Sequence, residues 1–203
     1  MASPPEFLQL DSIQVAPLLL GWTIRRELPE GVIRLKIVET EAYHQDDPAS
    51  HSFSGLTKRT APMFKTGGTI YVYFTYGMHY ALNIVTGPAG RGEAVLLRAA
   101  EPLEGIKIMQ QNRHLTEVKM LSNGPGKLAQ ALGIKDTQLS GSRLNSAKKI
   151  LNKSSIFLEP PVVPVDPKDI MASPRVGISK AVDQPWRFYI KDNPFVSGYN
   201  KSR

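Results

Sequence analysis

Three features of the sequence predict a single domain of mixed α/β type. Runs rich in β-branched and aromatic residues recur in pairs around tight turns, the pattern of hairpin strands. Short stretches of helical spacing stand between them, bounded by capping residues, glycine and proline. The 203 residues contain no internal repeat and no linker, and that length suffices for one sizeable core.

Asp11 to Leu20 reads as a short helix, with Asp11 or Ser12 as its cap and Gly21 as its end. Pro17 falls inside it and opposes regular hydrogen bonding. Trp22–Leu28 and Val32–Ala42 read as strands around Pro29-Glu30-Gly31, a hairpin. From Tyr43 to Gly68 the periodicity disappears, and a loop that long in a compact domain is often functional or disordered. It carries His44, His51, Lys58, Arg59 and Lys65. Thr69–Tyr76 and Met78–Thr86 form a second strand pair about Gly77, followed by the turn Gly87-Pro88-Ala89-Gly90. Ala94–Ala99 reads as a third buried strand, broken by Pro102, and Leu103–Asn112 has helical spacing. Gly124-Pro125-Gly126-Lys127 opens a short helix, Leu128–Leu132, with proline tolerated in the first turn. Short strands are expected at Ile156–Leu158, Val176–Ile178 and Arg187–Ile190.

Composition excludes several classes. Cysteine is absent, so disulfides and thiolate metal or cluster sites are ruled out. No apolar run approaches the length of a membrane span, and the first residues lack the basic start and apolar core of a signal peptide. A cytoplasmic protein is therefore expected. The net charge of +7 is uneven: residues 1–102 hold nine Lys and Arg against ten Asp and Glu, residues 103–203 sixteen against eight. A basic second half suits a polyanionic partner, although solubility alone accounts for such a charge equally well.

Four groups of residues could carry chemistry. On the strand Val32–Ala42, Glu39, Glu41 and Tyr43 share one face, because side chains repeat every second residue. Two carboxylates and a phenol there lead straight into the polar loop, though a Glu-x-Glu alone is more often a solvated strand face. The turn Tyr76-Gly77-Met78 places large apolar groups at a hairpin apex, the device by which minor-groove proteins wedge base steps apart. The plainer alternative is that Tyr76 and Met78 pack beneath a loop. Asn83 and Arg98 are polar residues on otherwise apolar strands; Asn83 could read a base edge or hold a backbone turn, and Arg98 could pair with Glu39 or a phosphate. Gly124, Gly126 and Lys127 at a helix start suit a phosphate, without the spacing of a nucleotide-triphosphate loop.

Taken in order, Val-Glu-Thr-Glu-Ala-Tyr (38–43), His51, Tyr-Val-Tyr-Phe-Thr-Tyr-Gly-Met (71–78), Leu-Asn-Ile (82–84), Val-Leu-Leu-Arg-Ala-Ala-Glu-Pro-Leu-Glu-Gly (95–105) and Asn-Gly-Pro-Gly-Lys-Leu (123–128) form a pattern. With it the chain resembles the 3-methyladenine DNA glycosylase family, of the alkyladenine or methylpurine-DNA type, from about Leu18 to Ser197. The resemblance implies an α+β fold: a single compact domain around a curved, mainly antiparallel sheet, with flanking helices and a protruding β-hairpin. It implies a water-activating role for Glu41, with Arg98 near that water, and a base pocket of Tyr43, His51, Tyr73 and Asn83. It implies intercalation at the Tyr76 tip beside Met78, and neither metal nor organic cofactor. The expected partner is double-stranded DNA containing damaged purines, bound by a monomer that is nucleoid-associated if bacterial, and not a membrane.

The chemistry expected from these residues is coherent. Tyr43 and Tyr73 would stack on an extruded purine, and an N-alkylated, cationic base gains on the order of 0.5–2 kcal/mol from aromatic faces. Glu41, ionised beside Arg98, would deprotonate a water and stabilise oxocarbenium character at the sugar. No lysine is obviously placed for a Schiff base, so hydrolysis without strand cleavage is expected. A non-catalytic nucleic-acid-binding module and a formyltransferase-like small-molecule enzyme are the rival readings. The second would need a cofactor groove, and the sequence has no glycine-rich dinucleotide fingerprint.

Overall fold

In a computed structural model, described here for residues 3–75, 77–145 and 156–197, the chain folds as α+β around one curled antiparallel sheet. The strands are β1 (Thr23–Leu28), β2 (Gly31–Tyr43), β3 (Ile70–Thr75), β4 (His79–Val85), β5 (Ala94–Glu104), β6 (Ile156–Glu159), β7 (Ile170–Ser173) and β8 (Arg187–Ile190). Helices α1 (Ser12–Leu18), α2 (Ile106–Arg113) and α3 (Pro125–Ala131) flank them. Sheet order is β3-β4-β5-β2-β1-β6, and β8 joins β2 while β7 pairs with β8. No described helix is long and apolar enough to cross a membrane.

Strand β2 organises the rest. Along one edge it pairs with β5. Its other edge is shared: β1 takes Gly31–Lys36 and β8 takes Glu39–Glu41. Two compensating bulges lie at that changeover. Ile37 faces Ala100, Glu39 faces Ala99 and Thr40 faces Leu97, so Val38 and then Arg98 are the extra residues. Bulges bend strands and re-aim side chains, and here they occur beside the two glutamates. Ile33, Leu35 and Ile37 enter the core with Val95 and Leu97, under Val15, Ala16 and Leu19 of the α1 region. The Thr40 hydroxyl donates to the Ala16 carbonyl (2.9 Å) and ties α1 to the same place.

Most of the expected elements are present. Asp11 caps α1, its carboxylate accepting from the N–H groups of Ile13 and Gln14 (2.9 Å each). Pro17 stays within that helix, close enough to its end that only one interior bond is forfeited. Three expectations need correction. Pro102 does not break β5, which continues to Glu104. Beyond Leu96 no described strand pairs with its other edge, and edges tolerate a missing donor. The following helix therefore begins at Ile106 rather than Leu103. Val176–Ile178 is irregular, and the strand of that region is Ile170–Ser173, which pairs with β8.

Candidate active site

Two carboxylates two residues apart on β2 have separate surroundings. Glu39 is completely buried and spent on the fold. Its Oε1 accepts from Arg98 Nε (3.0 Å), Arg187 Nε (2.6 Å) and the Ser197 hydroxyl (2.7 Å), and its Oε2 accepts from the Ser197 N–H (2.7 Å). Burial alone would raise its pKa; Arg98 and Arg187 overcome that and hold it below the ordinary carboxylate value. Glu41 is equally buried but differently held. Its Oε1 receives the Val176 N–H (2.7 Å) and forms an ion pair with Arg98 Nη1 (3.1 Å), and its Oε2 receives the Tyr43 hydroxyl (2.9 Å). The bulged Arg98 thus spans both carboxylates, which confirms that Glu39 and Glu41 look to one side. Burial opposes the charge on Arg98, but Glu41 and Glu39 outweigh it and raise its pKa. Tyr43 is a neutral phenol whose pKa is pushed well up by burial, then by Glu41 and Tyr73.

Above this layer lies a cavity of about 440 Å³, a size suited to a small organic ligand. Tyr43, Arg98 and Val176, the three groups that hold Glu41, all line it; Glu41 itself sits one layer beneath the wall. Tyr43, His51, Tyr73 and Asn83 line the same cavity, so the expected base-pocket residues converge. Tyr71 and Tyr73 project from one face of β3, ring centres 5.5 Å apart, and His51 meets Tyr73 edge-on at 4.5 Å. His51 Nδ1 lies 3.0 Å from the Tyr71 hydroxyl, and Arg59 Nη2 stands 3.5 Å from its Nε2. A guanidinium only donates, so Nε2 accepts and Nδ1 carries the proton. Burial and then Arg59 lower the His51 pKa to about 4, leaving a neutral ring. The Asn83 amide donates to the Tyr71 carbonyl (3.2 Å), which orients it across the strand pair into the cavity wall.

The β3–β4 hairpin ends at the Thr75–His79 pair. Tyr76 lies outside the described residues; Met78 at the same tip is 70% exposed, so it does not pack beneath a loop. At the start of α3, Lys127 Nζ donates to Asn123 Oδ1 (2.8 Å), and burial followed by Arg113 lowers its pKa. A Cβ on Gly126 would meet the His79 ring at about 3.0 Å, so that glycine permits α3 to close on β4. Among these helix-start residues only Pro125 reaches the cavity wall. No group of three or more described His, Asp or Glu residues could hold a metal ion.

The sequence model of the methylpurine-DNA glycosylase family matches residues 6–194. The chain belongs to this methylpurine-DNA glycosylase family. A Francisella tularensis protein is 48% identical over 190 residues, covering 94% of this chain and 95% of its own. Relatives from Carboxydothermus hydrogenoformans (45% over 198 residues, 97% and 99% covered) and Nitrosospira multiformis (43% over 197 residues, 97% and 94% covered) are as extensive. Each is provisionally named 3-methyladenine DNA glycosylase.

Several residues of this family member were not anticipated. Tyr71 was within reach, since it precedes Tyr73 by two and so shares its face. Val176 contributes a backbone N–H to Glu41 from 135 residues away, and a backbone donor leaves no mark in a residue's identity. Asp47 and Arg175, a buried pair behind Tyr43, gave no signal either: one lies in an aperiodic loop and the other just before a segment read as strand. Lys180 stands exposed at the cavity wall.

Proposed function

We propose that this member of the methylpurine-DNA glycosylase family is a DNA glycosylase that extrudes alkylated or deaminated purines from duplex DNA and hydrolyses the N-glycosidic bond, leaving an abasic site. One observation carries the reading: Glu41 is clamped by Tyr43, Arg98 and Val176, and all three of these face a cavity walled by Tyr43 and Tyr73. Enzymes that act on a base take it out of the stack. Tyr43 and Tyr73 receive the purine face, with neutral His51 and the amide of Asn83 on its edge. Met78 and Tyr76 occupy the space it vacates.

Glu41 activates the water. Its Oε1 accepts the Val176 N–H and pairs with Arg98, and its Oε2 accepts the Tyr43 hydroxyl, which leaves Oε2 a second acceptor position. The water reaches it between Tyr43, Arg98 and Val176 and gives up its proton as it attacks the sugar carbon. The carboxylate also stabilises positive charge growing on that carbon. An N-alkylated purine already carries positive charge and leaves readily. Lys180 is exposed at the rim, whereas an amine that forms a Schiff base is typically desolvated. The reaction therefore ends at the abasic site, with Lys180 and Lys127 on the side of the DNA backbone. Incubation with methylated duplex DNA tests this. Free methylpurine should be released, and borohydride should trap no covalent complex. Tight, salt-dependent binding without purine release would establish the non-catalytic binding module instead.

A further inference from the structure

Arg175 and Asp47, 128 residues apart in sequence, form a bidentate ion pair whose two side chains are both fully buried. Arg175 Nη2 donates to Asp47 Oδ1 (3.0 Å), Nη1 donates to Oδ2, and Nη1 also donates to the Ala42 carbonyl (2.9 Å). The same guanidinium lies over the Tyr43 ring, 4.6 Å from its centre, and over the Trp186 ring at 5.0 Å. Asp47 Oδ1 in turn accepts the Ala49 N–H (2.9 Å) and sets the turn that delivers Pro48, Ser50 and His51 to the cavity. The residue after Arg175 is Val176, the backbone donor to Glu41.

One planar cation thus joins three separate parts of the cavity wall: the end of β2, the loop of His51, and the segment from Val176 to Lys180. Stability alone is a poor explanation for it. A buried ion pair is commonly replaceable by apolar residues without loss, and Arg175 Nε is buried with no acceptor. A flat fork that bonds along its edge and stacks on its faces fixes orientation in a way that lysine does not.

We propose that the Asp47–Arg175 pair positions the active site, holding the Tyr43 ring and the Val176 N–H at the distances at which they clamp Glu41. The pair touches no reacting atom. The proposal rests on the glycosylase reading and names two further residues on which its rate depends.

The test uses Arg175→Lys and Asp47→Asn in the full chain, in a Trp22→Phe background that leaves Trp186 as the sole tryptophan. Single-turnover purine release from dimethyl sulfate-treated duplex is measured at saturating enzyme, with affinity for undamaged duplex and Trp186 emission alongside. Displacing a reacting group by about 1 Å costs on the order of 10²-fold, so release should slow roughly 10- to 100-fold in each variant. Affinity for undamaged duplex should stay within about twofold, because neither side chain reaches the surface. The double variant should be no slower than the slower single one, as expected of residues acting as a unit. A merely structural pair would lower the melting temperature while folded protein kept the wild-type rate. Should Arg175→Lys fail to fold by circular dichroism, Asp47→Asn, which keeps the shape and one acceptor, carries the same comparison. Release within twofold of wild type in a folded variant whose Trp186 emission has shifted overturns the proposal, as do effects that multiply in the double variant. Wild-type protein and Glu41→Gln run in parallel: no release by wild type defeats the glycosylase reading, whereas normal release by wild type and by the folded Asp47 or Arg175 variant defeats only the positioning role.

Discussion

Replacing Glu41 with glutamine removes a charge and almost no volume. The new amide oxygen can accept from the Val176 N–H, as Oε1 does at 2.7 Å, while the Arg98 Nη1 contact at 3.1 Å loses its opposite charge. The new NH₂ group lies where Oε2 accepts from Tyr43 at 2.9 Å, so that bond must reverse, with the phenol oxygen becoming the acceptor. Arg98 keeps its bond to Glu39 at 3.0 Å and is not left alone in the interior. Charged hydrogen bonds exceed neutral ones by about 1 kcal/mol, so the stability loss should be about 1–2 kcal/mol. The chemical loss should be larger. General-base help is worth about 10²–10⁴-fold, or roughly 3–5 kcal/mol of barrier. The assay pairs single-turnover release of methylpurine, followed by chromatography, with anisotropy of a lesion-bearing duplex. Binding should stay within a few fold while release falls at least 100-fold. Release within threefold of wild type would refute the general-base role of Glu41 and with it the water position at Oε2.

Three further outcomes follow from particular contacts. Met78→Ala should change unfolding free energy by less than about 0.5 kcal/mol, because the side chain is already 70% exposed, yet weaken lesion-duplex binding by anisotropy. Equal losses in both would return Met78 to a packing role. The His51 ring should titrate by NMR near 4 rather than 6.5, and Arg59→Ala should move that midpoint upward. Between those two values the unfolded chain binds the proton that the folded chain refuses. The stability contributed by the neutral ring is therefore complete above about 6.5 and is lost as pH falls toward 4, which acid titration of the denaturation midpoint will register. Glu39→Gln should cost about 2 kcal/mol in urea denaturation, since the hydrogen bonds from Arg98 and Arg187 lose a charged acceptor.

Local chemistry made much of the architecture legible. The hairpin of β1 and β2 was readable from the two strand-like runs on either side of Pro29-Glu30-Gly31, though Gly31 itself belongs to β2, opposite Leu28. The β3–β4 pair was readable for the same reason around Gly77. What escaped depends on neighbours distant in sequence. Pro102 looked like a strand end because the missing partner on its outer edge is a tertiary fact. Val176–Ile178 has strand-like residues, yet Val176 spends its N–H on Glu41 instead of on a ladder. Within the site, Tyr43, His51, Tyr73, Asn83 and Arg98 of the family pattern share one cavity. The pattern could not say that Glu41 lies beneath the wall rather than in it, because that depth is set by the Val176 segment folding over β2.

The two glutamates of β2 show why spacing alone could not assign their duties. Alternation predicts equal status for Glu39 and Glu41, and both are fully buried. Their difference arises from the bulge between them and from the separate segments, around Ser197 and Val176, that fold against each. Glu39 meets two arginines and both donors of Ser197, so its oxygens carry four hydrogen bonds, and of these donors Arg187 and Ser197 stand away from the cavity wall. Glu41 meets one arginine, one backbone N–H and one phenol, and each of these borders the cavity. The bulge at Arg98 lets a single guanidinium serve both, through Nε on the structural carboxylate and Nη1 on the other. Arg98 is thereby anchored from below before any substrate arrives. The positive charge beside the Glu41 carboxylate is therefore held at a distance set by the fold. On this argument Arg98→Lys, which cannot span both oxygens, should lower stability through Glu39 and purine release through Glu41 in the same molecule. Adding Glu39→Gln to it should deepen the first loss far more than the second.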